Sequence, residues 1–150
     1  MNRIKSLFST AAVCIFALAS AAAQAHGDEP KTAANGGQVR EAGAYHFELV
    51  MAKNAKDANE SPIVVYVTDR NGAKVSTVGA SGTATILVGK TKTTAALVAD
   101  GDNRLKGAAK YVSSPDMKVV LSITLAGKSA EQARFTPFVL AKDGHSDHKH

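Results

Sequence analysis

Five histidines are the residues of this 150-residue chain best suited to bind metal ions or move protons. One of them, His46, lies in the stretch Tyr45–Met51, where aromatic and aliphatic residues occupy every second position. Such alternation predicts a β-strand, in which His46 and Glu48 share the polar face about 7 Å apart. The two side chains can bind one ion, or the carboxylate can orient the imidazole. The alternative is a solvent-facing polar pair on a half-exposed sheet.

The C-terminal segment from Asp143 to His150 contains three more histidines, His145, His148 and His150, and two aspartates. Neutral imidazole suits zinc, copper, nickel and cobalt, so this histidine-rich segment is predicted to be a flexible metal-binding tail. The alternative is a solvated polar tail without a ligand. Met51 and Met117 are candidate thioether ligands for copper(I), although methionine on an apolar strand face more often fills the core.

The N-terminal residues have the pattern of a secretory signal peptide. Arg3 and Lys5 precede an apolar run from Leu7 to Ala23, and the segment ends in Ala23-Gln24-Ala25, which fits the small-x-small cleavage rule. Cleavage there makes His26 the first residue, whose amino group and imidazole can chelate copper together. No later apolar run reaches about 18 residues, so we expect export to the periplasm without a membrane span.

Composition excludes several classes of function. The single cysteine, Cys14, lies in the signal segment, so the exported chain is expected to lack disulfides and thiolate metal sites. The formal net charge is +5, which becomes smaller once Arg3 and Lys5 are removed, and the other lysines are spread through turns. Nucleic-acid binding is therefore not expected. No nucleophile elbow, phosphate loop or His-Glu-x-x-His segment occurs, which predicts a protein that is not an enzyme.

Short strand patterns separated by glycine turns recur along the chain. About eight of them, without a long amphipathic helix, predict an all-β fold, an antiparallel β-sandwich or barrel-like domain of about 7–9 short strands. The apolar run Ile63–Thr68 is expected to be a central strand covered on both sides. Pro137 indicates that the last strand lies at an edge or ends there. Beyond Tyr45–Met51 and a short strand before Gly43, the predicted strands are Ile63–Thr68, Lys74–Val78, Thr83–Val88, Lys92–Ala99, Arg104–Gly107, Met117–Leu125 and Gln132–Phe138.

The domain organisation follows from these patterns. Residues 1–25 are the signal peptide and 26–34, polar and without periodicity, a flexible lead-in. The β domain covers 35–139, and within it the polar segment Ala52–Pro62 is predicted to be an exposed loop. Residues 140–150 form the flexible histidine-rich tail.

Several short pieces within residues 35–135 together make a family pattern. They are Gly36–Val39, Ala42–Val50, Val65–Asp69 with the Asn71–Gly72 turn, Gly79–Gly82 and Asp102–Gly107. The pattern resembles the small periplasmic domain of heavy-metal efflux systems. That domain occurs alone or at the N-terminus of periplasmic adaptors of cobalt–zinc–cadmium or copper efflux pumps. The resemblance implies a β-rich module that binds metal ions or delivers them to a pump, with His46 and Glu48 as matching residues. In that family a histidine often precedes the glycine pair, where this chain has Asn35.

The favoured hypothesis is a soluble periplasmic protein that binds a divalent transition-metal ion, namely copper, zinc, nickel or cobalt, with copper or zinc favoured. It would serve metal tolerance or efflux without catalysis, with an efflux adaptor or pump as its expected partner. The predicted metal ligands are His26, His46, Glu48, His145, His148 and His150. One alternative is a structural interaction module that docks on an envelope or pump partner through a sheet edge, its histidines being incidental. Another is an envelope enzyme with a copper site at His26.

Overall fold

A computed structural model describes residues 33–139, which form one eight-stranded antiparallel sheet. These residues contain no helix. The all-β prediction, with its strand number, is therefore confirmed. The strands are β1 Gln38–Ala42, β2 Tyr45–Met51, β3 Glu60–Asp69, β4 Ser81–Val88, β5 Thr91–Ala99, β6 Arg104–Lys110, β7 Lys118–Thr124 and β8 Glu131–Phe135.

The sheet curls into a barrel that is nearly closed. Its strands lie in the order β1-β2-β3-β6-β5-β4-β7-β8, and each neighbouring pair is antiparallel. The two terminal strands of this order, β1 and β8, lie against each other. Beyond the end of β8, the backbone amide of Thr136 donates a hydrogen bond to the Gln38 side-chain oxygen at 2.8 Å. Closure of this kind covers the edges that an open sheet would expose.

Alternate residues of the strands fill the interior of the barrel. In β2, Phe47 and Leu49 belong to the core, whereas His46 and Glu48 belong to the opposite face because successive side chains alternate. Each large side chain that is fully buried contributes about 1.5–3 kcal/mol relative to exposure. Met51 and Met117 are also core residues. The largest fully buried side chains are Phe47, Phe135, Leu49, Ile63, Ile86, Leu97, Leu105, Met117, Leu121, Ile123, Val65 and Val67.

The predicted strand Lys74–Val78 is wrong. Only one bridge, between Lys74 and Thr68, links this segment to the sheet. The Thr77 amide instead donates to the carbonyl of Asp102 at 2.9 Å, and its buried hydroxyl donates to the carbonyl of Arg104 at 3.0 Å. Since these tertiary bonds satisfy the polar groups of Thr77, the segment does not need a strand ladder.

The predictions for β3 and β8 are partly correct. The expected loop Ala52–Pro62 is too long, because β3 begins at Glu60 and pairs with β6 from that residue onward. Pro62 is tolerated there since the pairing of β3 with β2 starts only at Ile63. The strand is central, as predicted, but only alternate residues are fully buried, so it is not covered on both sides. The last strand lies at the edge and ends at Phe135, before Pro137.

Tyr111, directly after β6, holds the loop that follows β2. Its side chain is 3 % exposed, and its hydroxyl accepts a hydrogen bond from the Ala52 amide at 2.9 Å and donates one to the Pro62 carbonyl at 2.8 Å. Burial raises the pKa of the phenol above its ordinary value, and the bond from Ala52 acts more weakly in the opposite direction.

Tyr111→Phe is expected to lower the free energy of unfolding by about 1–3 kcal/mol near neutral pH, because both hydrogen bonds are lost. The folded state keeps the phenolic proton to a higher pH than the unfolded state. Wild-type stability should therefore fall as the pH rises through about 10, and the variant should lack this component. Urea unfolding at neutral pH and at about pH 10.5 measures both effects. Tyr45→Phe is the control, and a gap between wild type and variant that does not change with pH would contradict the assignment.

Candidate functional site

The β1–β2 hairpin places a carboxylate beside His46. The two strands are joined through Gly43, which has a φ of 59°, a backbone conformation that suits glycine. The resulting register sets Glu41 directly opposite His46. The His46 Nε2 atom lies 3.4 Å from the Glu41 Oε1 atom. The imidazole is almost buried, whereas the glutamate side chain is 69 % exposed.

The contribution of Glu41 was missed from the sequence. The signal was nevertheless present, since a two-residue turn at Gly43 and Ala44 determines which residues of a hairpin face each other. Counting outward from that turn pairs Ala42 with Tyr45 and then Glu41 with His46. The carboxylate predicted to accompany His46 was Glu48, two positions along the same strand.

Glu48 holds the loop that precedes β1. Its Oε2 atom accepts hydrogen bonds from the backbone amides of Asn35 at 2.9 Å and Gly37 at 3.0 Å. Its Oε1 atom accepts from the Asn35 amide at 3.2 Å and from the Asn35 Nδ2 atom at 3.1 Å. These donors occupy most of the acceptor capacity of a carboxylate. A metal ion bound by Glu48 would have to displace some of them, and the ligand role of Glu48 stays a prediction.

Two rows of cross-strand neighbours lie on the outer face around His46. Since neighbouring strands are about 4.8 Å apart, each row brings residues distant in sequence within about 15 Å. The first row runs Glu41, His46, Thr68, Lys74. The second row runs Val39, Glu48, Tyr66, Arg104.

Arg104, at the end of the second row, remains a cation. A hydrogen bond with Tyr66 and the charge of Asp100 raise the pKa of its guanidinium further above its ordinary value. The Arg104 Nη2 atom lies 2.8 Å from the Asp100 Oδ2 atom, so the guanidinium and this carboxylate form an ion pair. The neighbouring Asn103 is buried, and its Nδ2 atom donates to the carbonyl of Val67 at 3.1 Å.

Residues of both rows line a cleft of about 410 Å³. Ala34 and Asn35 contribute from the loop before β1, and Gly72 and Lys74 contribute from the turn after β3. The volume lies in the range of sites that bind small molecules. The lining of the cleft includes an imidazole, a carboxylate, a phenol, a hydroxyl and a lysine. From the two rows, its lining residues are Val39, His46, Glu48, Tyr66, Thr68 and Lys74.

The remaining predicted ligands, His26, His145, His148 and His150, lie outside the described residues 33–139. Within that range, no group of three or more histidine, cysteine, aspartate or glutamate side chains is arranged to hold a metal ion. The same part of the chain contains no helix that is long and apolar enough to cross a membrane. The described residues thus offer one imidazole with one adjacent carboxylate.

Comparisons of the chain with protein-family models, with curated proteins and with solved structures give no match. The likeness to the efflux-associated domain therefore depends on the sequence pieces alone and stays a prediction. An imidazole nitrogen and a carboxylate oxygen are both common ligands of divalent transition metals.

Proposed function

We propose that this protein binds a divalent transition-metal ion, copper or zinc, beside His46, and that it serves metal tolerance or efflux in the periplasm without catalysis. The signal-peptide pattern supports export, and the family resemblance supports the link to efflux. One geometric observation carries the proposal, namely the separation of the donor atoms of His46 and Glu41.

That separation suits two ligands of one ion. In a tetrahedral site, zinc lies about 2.0–2.2 Å from nitrogen and oxygen ligands, which places two such donors about 3.3–3.5 Å apart. The His46 Nε2 atom and the Glu41 Oε1 atom are 3.4 Å apart on adjacent strands. A small side-chain rotation of the exposed Glu41 brings both lone pairs toward a common point. The rigid strand then positions the imidazole, and the glutamate supplies the negative charge.

His26 is close enough in sequence to the cleft to complete the coordination. An extended chain covers at most about 3.3–3.6 Å per residue, so His26 can lie up to about 25 Å from Ala33. The neighbour of Ala33, Ala34, lines the cleft beside His46. His145 follows Val139 by six residues, but Val139 lines a different cleft, with Met117 and Lys118. In the proposal, His26 contributes a further imidazole to the ion at His46, and the C-terminal histidines are the other source of imidazoles.

Calorimetric titration with copper(II), zinc and nickel tests this function. Wild-type protein is expected to bind copper or zinc more tightly than about 100 μM, which corresponds to about −5.5 kcal/mol. His46→Ala should weaken binding by at least about ten-fold, and Glu41→Gln by about three- to ten-fold, because each removes one ligand. Glu60→Gln, at an exposed glutamate outside the cleft, is the matched control and should bind as the wild type does.

Three outcomes decide between the candidate sites. Binding weaker than about 100 μM in the wild type would refute metal binding altogether. Unchanged affinity in His46→Ala would refute the site at the hairpin. Binding that disappears only in a chain truncated after Asp143 would place the site on the C-terminal histidines.

The alternative of an interaction module has less support. It requires docking through a sheet edge, but the edge strands β1 and β8 lie against each other. Exposed valines, above all Val78 and Val98, offer a different apolar surface for contact. Binding of an envelope partner that is equally strong with and without metal, and in His46→Ala, would favour this alternative.

A further inference from the structure

The chain contains two Asn-Gly dipeptides, Asn35-Gly36 and Asn71-Gly72. In such a dipeptide the backbone nitrogen of the glycine can attack the side-chain amide of the asparagine, because glycine has no Cβ atom beside that nitrogen. Both glycines have a positive φ, 75° at Gly36 and 82° at Gly72. A Cβ atom at either glycine would meet no atom within 4 Å beyond its chain neighbours, so both have room for a cyclic intermediate.

The side chain of Asn35 is bound to a buried carboxylate. Its Nδ2 atom donates to the Glu48 Oε1 atom at 3.1 Å, and the Asn35 backbone amide donates to both oxygens of the same carboxylate. Attack by the Gly36 nitrogen requires the Asn35 side chain to rotate away from Glu48. A hydrogen bond to a charged group, one of the stronger kinds in proteins, must then break. Glu48 therefore protects Asn35 from this reaction.

The side chain of Asn71 lacks such protection. Asn71 is exposed in the turn after β3, where its backbone amide donates to the Asp69 Oδ1 atom at 2.8 Å. The turn thus positions the main chain. Within residues 33–139, however, no hydrogen bond restrains the Asn71 side chain, which can rotate toward the Gly72 nitrogen.

The backbone amides of the two glycines do not distinguish the sites. The Gly72 amide donates to the carbonyl of Asp69 at 3.0 Å, and the Gly36 amide donates to the carbonyl of Ala33 at 3.3 Å. Each of these bonds must open before the glycine nitrogen reacts. Hydrogen bonds of exposed loops open locally at low free energy, so neither prevents the reaction. The difference between the sites therefore lies in the asparagine side chains.

We propose that Asn71 is a site of spontaneous deamidation. The Gly72 nitrogen loses its proton and forms a bond to the Asn71 Cγ atom, while the bond from Cγ to Nδ2 breaks and ammonia leaves. Water then opens the cyclic imide at one of its two carbonyls, which gives aspartate or isoaspartate at position 71. Water is the only reactant needed. Because Gly72 lines the cleft beside His46, the new carboxylate lies one residue from the cleft lining.

The isoaspartate product also changes the turn. Its main chain runs through the former side-chain carbon, so the backbone gains one methylene group after position 71. The Asp69 Oδ1 atom now accepts from the amides of both Asn71 and Ala73, at 2.8 and 2.9 Å. A longer chain between these two donors does not fit the same acceptor. The turn, and the bridge of Lys74 with Thr68 that follows it, should therefore loosen.

Peptide mapping of the full-length protein, incubated in mildly alkaline buffer, tests the proposal. Trypsin cleaves after Arg70 and Lys74 and so separates residues 71–74 from the peptide that contains Asn35. Mass spectrometry measures the loss of each asparagine, and chromatography separates aspartate from isoaspartate. In the folded protein Asn71 should react at least about ten-fold faster than Asn35, as expected if one charge-assisted hydrogen bond protects the slower site. In urea that unfolds the chain the two rates should converge.

Glu48→Ala is the variant that removes the protection. It should raise the rate at Asn35 by about five- to ten-fold and leave the rate at Asn71 unchanged. Circular dichroism at the incubation temperature shows whether the variant is folded, and the urea comparison on the wild type does not depend on it. Equal rates at the two sites in the folded wild type, or a faster reaction at Asn35, would overturn the proposal. A ratio that persists in urea would show that neighbouring residues in sequence, and not the contact with Glu48, protect Asn35.

Discussion

Glu48→Ala is expected to lower the free energy of unfolding by about 2–4 kcal/mol. The substitution removes the acceptor of the Asn35 and Gly37 backbone amides and of the Asn35 side chain. Hydrogen bonds to charged groups contribute about 1.5–3 kcal/mol each, and water that enters the space offsets part of the loss. Urea unfolding followed by circular dichroism measures the change. Glu48 is only 6 % exposed, so most of its contacts are with protein while the loop stays in place.

Two further variants distinguish a structural role of Glu48 from a role as metal ligand. Glu48→Ala and Asn35→Ala should be non-additive by more than about 0.5 kcal/mol, because both remove the hydrogen bond from the Asn35 Nδ2 atom to the Glu48 Oε1 atom. Glu60→Ala, at an exposed site, should change stability by less than about 0.5 kcal/mol. If Glu48→Ala is as stable as the wild type but loses metal binding, the carboxylate is a ligand and not the anchor of the loop.

Gly107→Ala is expected to destabilise the protein by about 2–4 kcal/mol, near the upper end of the effect of overpacking. A Cβ atom at this position would lie 2.4 Å from the backbone oxygen of Ala96 and 2.9 Å from the Cδ2 atom of Leu97. A backbone oxygen cannot rotate away as a flexible side chain can. Strands β5 and β6 would have to separate at this point. Their ladder is already short, because it pairs only Val98 with Lys106 and Ala99 with Leu105.

The control for this prediction is the next residue of the same strand. Ala108 is exposed, so Ala108→Gly should cost no more than about 1 kcal/mol, the span of measured strand preferences. Thermal and urea unfolding of both variants provide the comparison. A Gly107→Ala variant as stable as Ala108→Gly would show that β5 and β6 do not approach so closely at this point.

Much of the fold could be predicted from local patterns. The alternation in Tyr45–Met51 predicts a strand with an apolar face, and the structure confirms the strand and places Phe47, Leu49 and Met51 in the core. The polar residues His46 and Glu48 are buried as well and line the cleft. Glycine turns mark the strand ends, as at Gly43. The predicted strand Lys74–Val78 does not form, because the polar groups of Thr77 bond to Asp102 in the loop before β6 and to Arg104, the first residue of β6. That contact joins residues about 25 positions apart, and no local pattern of side chains encodes it.

In the candidate site too, some features follow from the local sequence and others from tertiary contacts. The sequence alone determined that His46 and Glu48 share one strand face, because side-chain alternation is a property of the local backbone. Only the tertiary structure decided which neighbours each of them has. The register of the β1–β2 hairpin places the Glu41 carboxylate opposite His46. The Glu48 carboxylate instead accepts hydrogen bonds from backbone amides of the loop before β1. Pairing of β2 with β3, and one bridge beyond it, aligns Lys74 with them. These neighbours depend on the register between strands that are distant in sequence. That register is determined by which residues of the whole sheet become buried, and no single segment of the sequence specifies it.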